Sequence, residues 1–309
     1  MGCCQASDGL SVQYLGTGGW LLRWRSAVLL TGPYYTNASA VATVFGPMRS
    51  DTAVVERSLP PVRDAEAILV GHAHFDHLLD VPYVARVRAP DATIYASRTA
   101  KNILAGDSAL DNDRVMAMND IAGTAARPGT WVKTQGGRVR IMALIAGHAP
   151  HFQGVELYRG TVDQPLDELP RRAEDWVGGQ TLAYLIDFLD GDGSVAFRVH
   201  YQDAAASSPL GQVPQLPPGD QAPVDVVILC PPSFSEVEQY PEGIIENTQP
   251  RVALLGHWED FLKPLGTNPG TVPLTDFGEF SRRLERVLPE ASVWRLPEVG
   301  ESFTIARRP

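Results

Sequence analysis

Gly71-His72-Ala73-His74-Phe75-Asp76-His77 decides the reading of this chain. Four potential metal ligands fall within six residues, directly behind the short apolar run Glu66-Ala67-Ile68-Leu69-Val70. Such a run, closed by Gly71, predicts a strand that ends where the cluster begins. Alternation in an extended segment sends His72 and His74 to the same side. Asp76 and His77 follow in the turn, within reach of a second ion beside the first. Imidazole nitrogens and carboxylate oxygens are the donors expected for zinc and similar divalent ions. The competing reading is a chance cluster on a solvated loop. The chain has only seven histidines, and three of them stand here with an aspartate, so the metal reading outweighs it.

Working outward, the same kind of residue recurs at three more predicted strand ends. Gly147-His148 follows the strand predicted over 138–144, Asp203 follows 195–201, and Gly256-His257 follows 252–255. Taken singly, each reads as a satisfied polar residue at a strand end. Together they give one order: cluster, His, Asp, His. Two histidines are left over, His151 three residues after His148 and His200 three before Asp203. Either is a candidate proton donor or substrate contact. The competing reading is packing, or support behind the ligands. Asp76 and Asp203 also count as candidate catalytic residues, placed to keep an ion pair together and to hydrogen-bond a nucleophile. Asp80 and Asp260 read better as capping or solvated carboxylates. Tyr34, Tyr35 and Trp176 line the pocket or pack in the core.

The rest of the chain mixes strand and helix signals in both halves. Strands are predicted at 11–15, 20–24 and 27–31, with Gly16-Thr17-Gly18-Gly19 as a tight turn between the first two. Three strands in such quick succession must be antiparallel neighbours. Residues 182–188 and 195–201 flank Asp190-Gly191-Asp192-Gly193 as a hairpin. The run 224–229 reads as one more buried strand. Phe277, Phe280, Leu284 and Leu288 form one helical stripe, followed by strands at 292–296 and 302–306. This pattern predicts two packed β-sheets with helices outside. We expect a flexible tail over residues 1–9 and a single domain over 10–309, with irregular stretches 151–180 and 204–223 as binding loops.

Composition bounds the function. The chain has 309 residues, 44% of them hydrophobic and 20% charged, which is globular composition. It can bury a large core without disulfides, and Cys3, Cys4 and Cys230 do not form a disulfide framework. Cys230 reads as a buried strand-end thiol. The formal net charge of −10, with no Lys/Arg-rich stretch, argues against nucleic acid. No stretch is long and apolar enough to span a bilayer. At Met1-Gly2-Cys3-Cys4, Gly-Cys matches the end of a bacterial lipoprotein cleavage box. That gives one expectation, membrane tethering through Cys3 or Cys4 in the bacterial cell envelope. The alternative is an unanchored N-terminus in the cytoplasm.

The His-x-His-x-Asp-His cluster, followed by His148, Asp203 and His257, resembles the metallo-β-lactamase superfamily from about residue 10 onward. The resemblance implies an α/β (α+β) chain folded as a four-layer αββα metallo-β-lactamase sandwich, with the site at one edge of the two sheets. It implies two divalent metal ions, Zn2+ first, with Mn2+ or iron as alternatives. His72, His74 and His148 would hold one ion, Asp76, His77 and His257 the other, and Asp203 would bridge them. The implied activity is hydrolysis of an ester-type bond, in a lactone, carboxylic ester or phosphodiester, of a small-molecule or lipid-like substrate. The opening strands and Thr31-Gly32-Pro33-Tyr34-Tyr35 look like the branch of ascorbate-phosphate lactonases and N-acyl-phosphatidylethanolamine phospholipase D. Many of its members have Asp-Pro where this chain has Gly32-Pro33. Two alternatives come from other classes. A di-iron redox protein would need a flavin partner domain for which the chain has no room. A non-catalytic envelope binding protein is disfavoured by the complete ligand set.

Overall fold

Period-two alternation in the opening residues builds the first sheet. In the computed structural model, which describes residues 8–151, 154–268 and 270–308, β1 (Leu10–Gly16), β2 (Gly19–Trp24) and β3 (Ala27–Thr31) run antiparallel. Two short helices follow, α1 (Ala40–Phe45) and α2 (Thr52–Ser58), capped at their N-termini by the side chains of Ser39 and Asp51. The chain returns parallel to β3 as β4 (Ala67–Leu69). It then passes through α3 (Phe75–Leu78) and α4 (Val81–Tyr83) to β5 (Thr93–Ala96), and through α5 (Arg98–Leu104) to β6 (Val115–Ala117). These last strands are parallel.

The second sheet comprises β7 (Val132–Lys133), β8 (Val139–Ile145), β9 (Leu182–Leu189), β10 (Val195–Tyr201), β11 (Val226–Leu229), β12 (Val252–Leu255) and β13 (Val293–Arg295). The helices α6 (Glu242–Thr248) and α7 (Phe277–Val287) lie along it, and β14 (Ser302–Ile305) closes back onto β1. Among the described residues each sheet has seven strands, in the orders β14-β1-β2-β3-β4-β5-β6 and β13-β12-β11-β10-β9-β8-β7.

Strand alternation explains the layers. Tyr14, Trp20, Trp24 and Leu69 meet Ile141, Tyr184, Phe197 and Tyr201 between the sheets. The opposite faces take helices. Leu21, Leu30 and Ile68 pack with Val55, Leu78 and Ile103 on one side, and Val227, Leu255 and Ala253 with Ile244, Phe280 and Leu284 on the other. This is the expected four-layer αββα sandwich. The short strands β5, β6 and β7, and helices α1 to α6, were not anticipated from sequence. Cys3 and Cys4 lie outside the described residues. No helix among the described residues is long and apolar enough to cross a membrane.

Candidate metal centre

The candidate ligands gather where strands of both sheets run out. β4 stops at Leu69, and the Gly71 carbonyl then accepts from Leu182 N–H at 2.7 Å, tying the first sheet to the start of β9. His72 and His74 follow in extended backbone, and His74 becomes the N-terminal cap residue of α3. That turn places Asp76 and His77 beside the two histidines. His148 follows β8, Asp203 follows β10 and His257 follows β12.

Three overlapping groups of donors result: His72, His74 and His148; His72, His77 and Asp203; Asp76, His77 and His257. In each, the ligand atoms lie within 4.8 Å of one another. Asp203 sits between the groups. Its Oδ1 is 3.2 Å from His72 Nδ1 and its Oδ2 is 3.1 Å from His77 Nδ1. Asp76 Oδ2 lies 3.3 Å from His77 Nε2 and 3.2 Å from His257 Nε2. The seven candidate ligands therefore share one site.

Its electrostatics favour positive charge between the two carboxylates. Burial opposes charge on Asp76 and Asp203, yet the imidazoles around them hold both carboxyls well below the ordinary range. Burial also lowers the His77 imidazole, but Asp76 and Asp203 on either side raise it to about 10. Buried among other imidazoles, His74 and His148 stay neutral far below pH 6.5, so each keeps a lone pair for coordination. At His148 the tautomer follows from geometry. Nδ1–H donates to the Ala149 carbonyl at 2.6 Å, which leaves the Nε2 lone pair free. The buried Nδ1 of His257 has no hydrogen-bond partner. Five imidazoles and two carboxylates, with no ammonium or guanidinium in their ion pairs, fit divalent cations well.

His151 joins this site. Its ring stacks on His148 with centroids 4.7 Å apart and 25° between planes. Its Nδ1 accepts from Leu157 N–H at 3.1 Å, so in the neutral ring Nε2 carries the hydrogen. His200 does not join it, and this corrects the expectation of a catalytic role. Period-two alternation along β10 turns Val199 and Tyr201 to the core between the sheets and His200 to the opposite face. There it is fully buried and Nε2–H donates to the Gly211 carbonyl at 2.7 Å. Asp80 is a buried loop anchor, accepting from Tyr35 N–H, Thr36 N–H and the Thr36 hydroxyl. Tyr34, Tyr35 and Trp176 pack in the outer core against α2 and α3.

A cavity of about 380 Å3 opens over the ligands. Its floor is His74, Asp76, His148, Asp203 and His257, and its walls include Phe75, Tyr158, Phe261 and Leu262. Cys230, buried just past β11, reaches the same cavity. Sequence reasoning missed Tyr14 and Glu259, both buried behind His257. The one available signal was the closeness of Glu259 to His257 in the chain. Nothing in the sequence connects Tyr14 to either.

No family model and no curated protein matches the sequence. Solved structures are similar. Igni18, a metallo hydrolase from the hyperthermophilic archaeon Ignicoccus hospitalis, aligns at TM-score 0.55 and 13% identity over 96% of this chain and 98% of its own. The metallo-β-lactamase fold protein YhfI from Bacillus subtilis aligns at TM-score 0.51 and 14% identity, over 96% of this chain and all (100%) of its own. CmlA, a diiron β-hydroxylase from Streptomyces venezuelae, aligns at TM-score 0.51 and 13% identity over 97% of this chain but 54% of its own.

Proposed function

Starting from a chain with the metallo-β-lactamase fold, we propose that it is a metal-dependent hydrolase of ester-type bonds. The observation that carries this reading is the triple overlap of donor groups within 4.8 Å at the sheet edge. In this reading His72, His74 and His148 would hold one divalent ion and Asp76, His77 and His257 a second, with Asp203 between the two groups. A bound pair supplies Lewis acidity and a water whose pKa falls to about 7. The donor chemistry favours zinc, with manganese or iron as alternatives.

The chain's own residues do the rest. Asp203 and Asp76 fix the spacing of the ligands. The Tyr201 hydroxyl, 3.1 Å from Asp203 Oδ2 and 2.8 Å from the Gly18 carbonyl, steadies that carboxylate. His151, with its neutral hydrogen on Nε2, is placed to donate to the departing oxygen. Phe75, Tyr158 and Phe261 exclude water and hold the apolar part of a small or lipid-like substrate. A di-iron oxygenase is the second reading, favoured by the likeness to CmlA and by a donor set that also accepts iron.

The test is elemental analysis of untagged protein, combined with turnover of a lactone, a carboxylic ester and a phosphodiester. We expect about two zinc, manganese or iron ions per chain and activity on one substrate, lost in His74→Ala and Asp203→Ala. Two irons with oxygen-dependent chemistry and no hydrolysis would favour the second reading. No metal after reconstitution would refute both.

A further inference from the structure

His257 adopts φ of +53°, a left-handed conformation that a non-glycine residue keeps only when its surroundings impose it. The surroundings here form a closed ring of hydrogen bonds. The His257 N–H donates to the Tyr14 hydroxyl oxygen and to the Thr17 carbonyl, each at 2.8 Å. The Tyr14 hydroxyl donates to Glu259 Oε2, and Thr17 N–H donates to Glu259 Oε1. Tyr14 is wholly buried and Glu259 is 2% exposed. A carboxylate so buried, with each oxygen assigned to one donor, is an expensive way to fill space. The ring also joins the first strand to a ligand 243 residues later.

We propose that Glu259, acting through Tyr14 and the Thr17 peptide, is the positioning residue that holds His257 toward Asp76. It thereby sets the affinity of the Asp76, His77, His257 position without affecting the His72, His74, His148 position. This rests on the two-ion reading above. Among the described residues, the hydrogen bonds of Tyr14, Thr17 and Glu259 reach His257 and none reaches His74 or His148, so the two positions respond differently when the ring is broken. Supports of this kind behind a ligand change metal affinity by about 10- to 100-fold.

The experiment titrates metal-free full-length protein with Co2+, followed by calorimetry and by the visible spectrum of bound cobalt. The variants are Tyr14→Phe, which removes one hydroxyl, and Glu259→Gln, which keeps shape and one accepting oxygen. The His257 amide is followed by hydrogen exchange in the same samples. Wild type is expected to bind two ions. Tyr14→Phe should weaken one of them about 10- to 100-fold, leave the other unchanged and speed exchange at His257. Glu259→Gln should fall between Tyr14→Phe and wild type. Wild-type affinities and exchange in both variants would overturn the inference alone. So would an equal loss at both positions with faster exchange throughout the sheets, since that marks a merely structural role. No cobalt uptake by wild type would overturn the two-ion reading and the inference with it.

Discussion

A methyl group at residue 71 would stand 2.1 Å from Asp203 Oδ1, and one at residue 18 would stand 2.5 Å from His77 Nδ1. Both glycines are there because backbone and ligand need the same space. Asp203 cannot retreat easily, since the Tyr201 hydroxyl, His72 and His77 hold it from other sides. Gly71→Ala should therefore cost about 1–3 kcal/mol in overpacking and reduce metal occupancy. Urea unfolding and elemental analysis of the variant check this, and unchanged values in both would mean the site has slack that the distances deny. The candidate ligands were legible from sequence because scarce histidines were concentrated at strand ends. The glycines were legible only as turn formers. The second role of Gly71 depends on Asp203 arriving from the other sheet and that of Gly18 on His77 arriving from the turn after β4, which no local pattern records. Glu259 was hidden for the same reason: its partners, Tyr14 and Thr17, lie at the far end of the chain.

β10 shows how one element separates residues that proximity in sequence would group. Spacing from Asp203 suggested that His200 belonged to the site, but alternation puts it on the other face of the sheet, beneath the 204–223 stretch. Burial there lowers its pKa to about 4, although the Gly211 carbonyl pulls the other way. In the unfolded chain it would titrate near 6.5, so as pH falls from about 6.5 to about 4 the unfolded state takes up the proton first. Stability contributed by neutral His200 is present above that window and is lost as pH falls through it, by roughly 3 kcal/mol at about 1.4 kcal/mol per unit. His200→Met should flatten this part of the pH–stability curve, measured as the difference in urea midpoint between variant and wild type. Equal slopes would contradict the burial argument. Longer apolar runs bounded by turn residues, such as β2, β9 and β10, were readable from sequence nearly to the residue. β5, β6 and β7 were not, since two to four residues of strand set no period and are fixed by pairing with neighbours already in place.

At the scale of the whole molecule, several exposed apolar side chains stand around one opening. Phe45 is 85% exposed and Val41 71%, on the short helix whose Thr43 lines the cavity. Leu274, 80% exposed, and Leu157, 45%, line the cavity themselves. An acidic molecule with an apolar mouth suits a substrate carrying a hydrocarbon chain more than a polyanion. Among esters of increasing chain length, kcat/KM should rise about fourfold per buried methylene until the cavity is full. Leu274→Asp should remove that rise while sparing the shortest ester. A flat series in wild type would argue for a polar substrate. Two packed sheets with helices outside followed from the order of strand and helix signals, and the edge position of the site from the resemblance of its ligand pattern. The apolar mouth did not, because its residues come from irregular segments with no periodicity. The ring around His257 has a further consequence in time. A ribosome adding about 5–20 residues per second makes Tyr14 roughly 10–50 s before Glu259, its partner 245 positions later. Until residue 257 is made, the Asp76, His77, His257 group is one ligand short. On the two-ion reading, a chain cut before that point would lack a full set of ligands for the second ion, so occupancy of that position would mark that synthesis had passed His257.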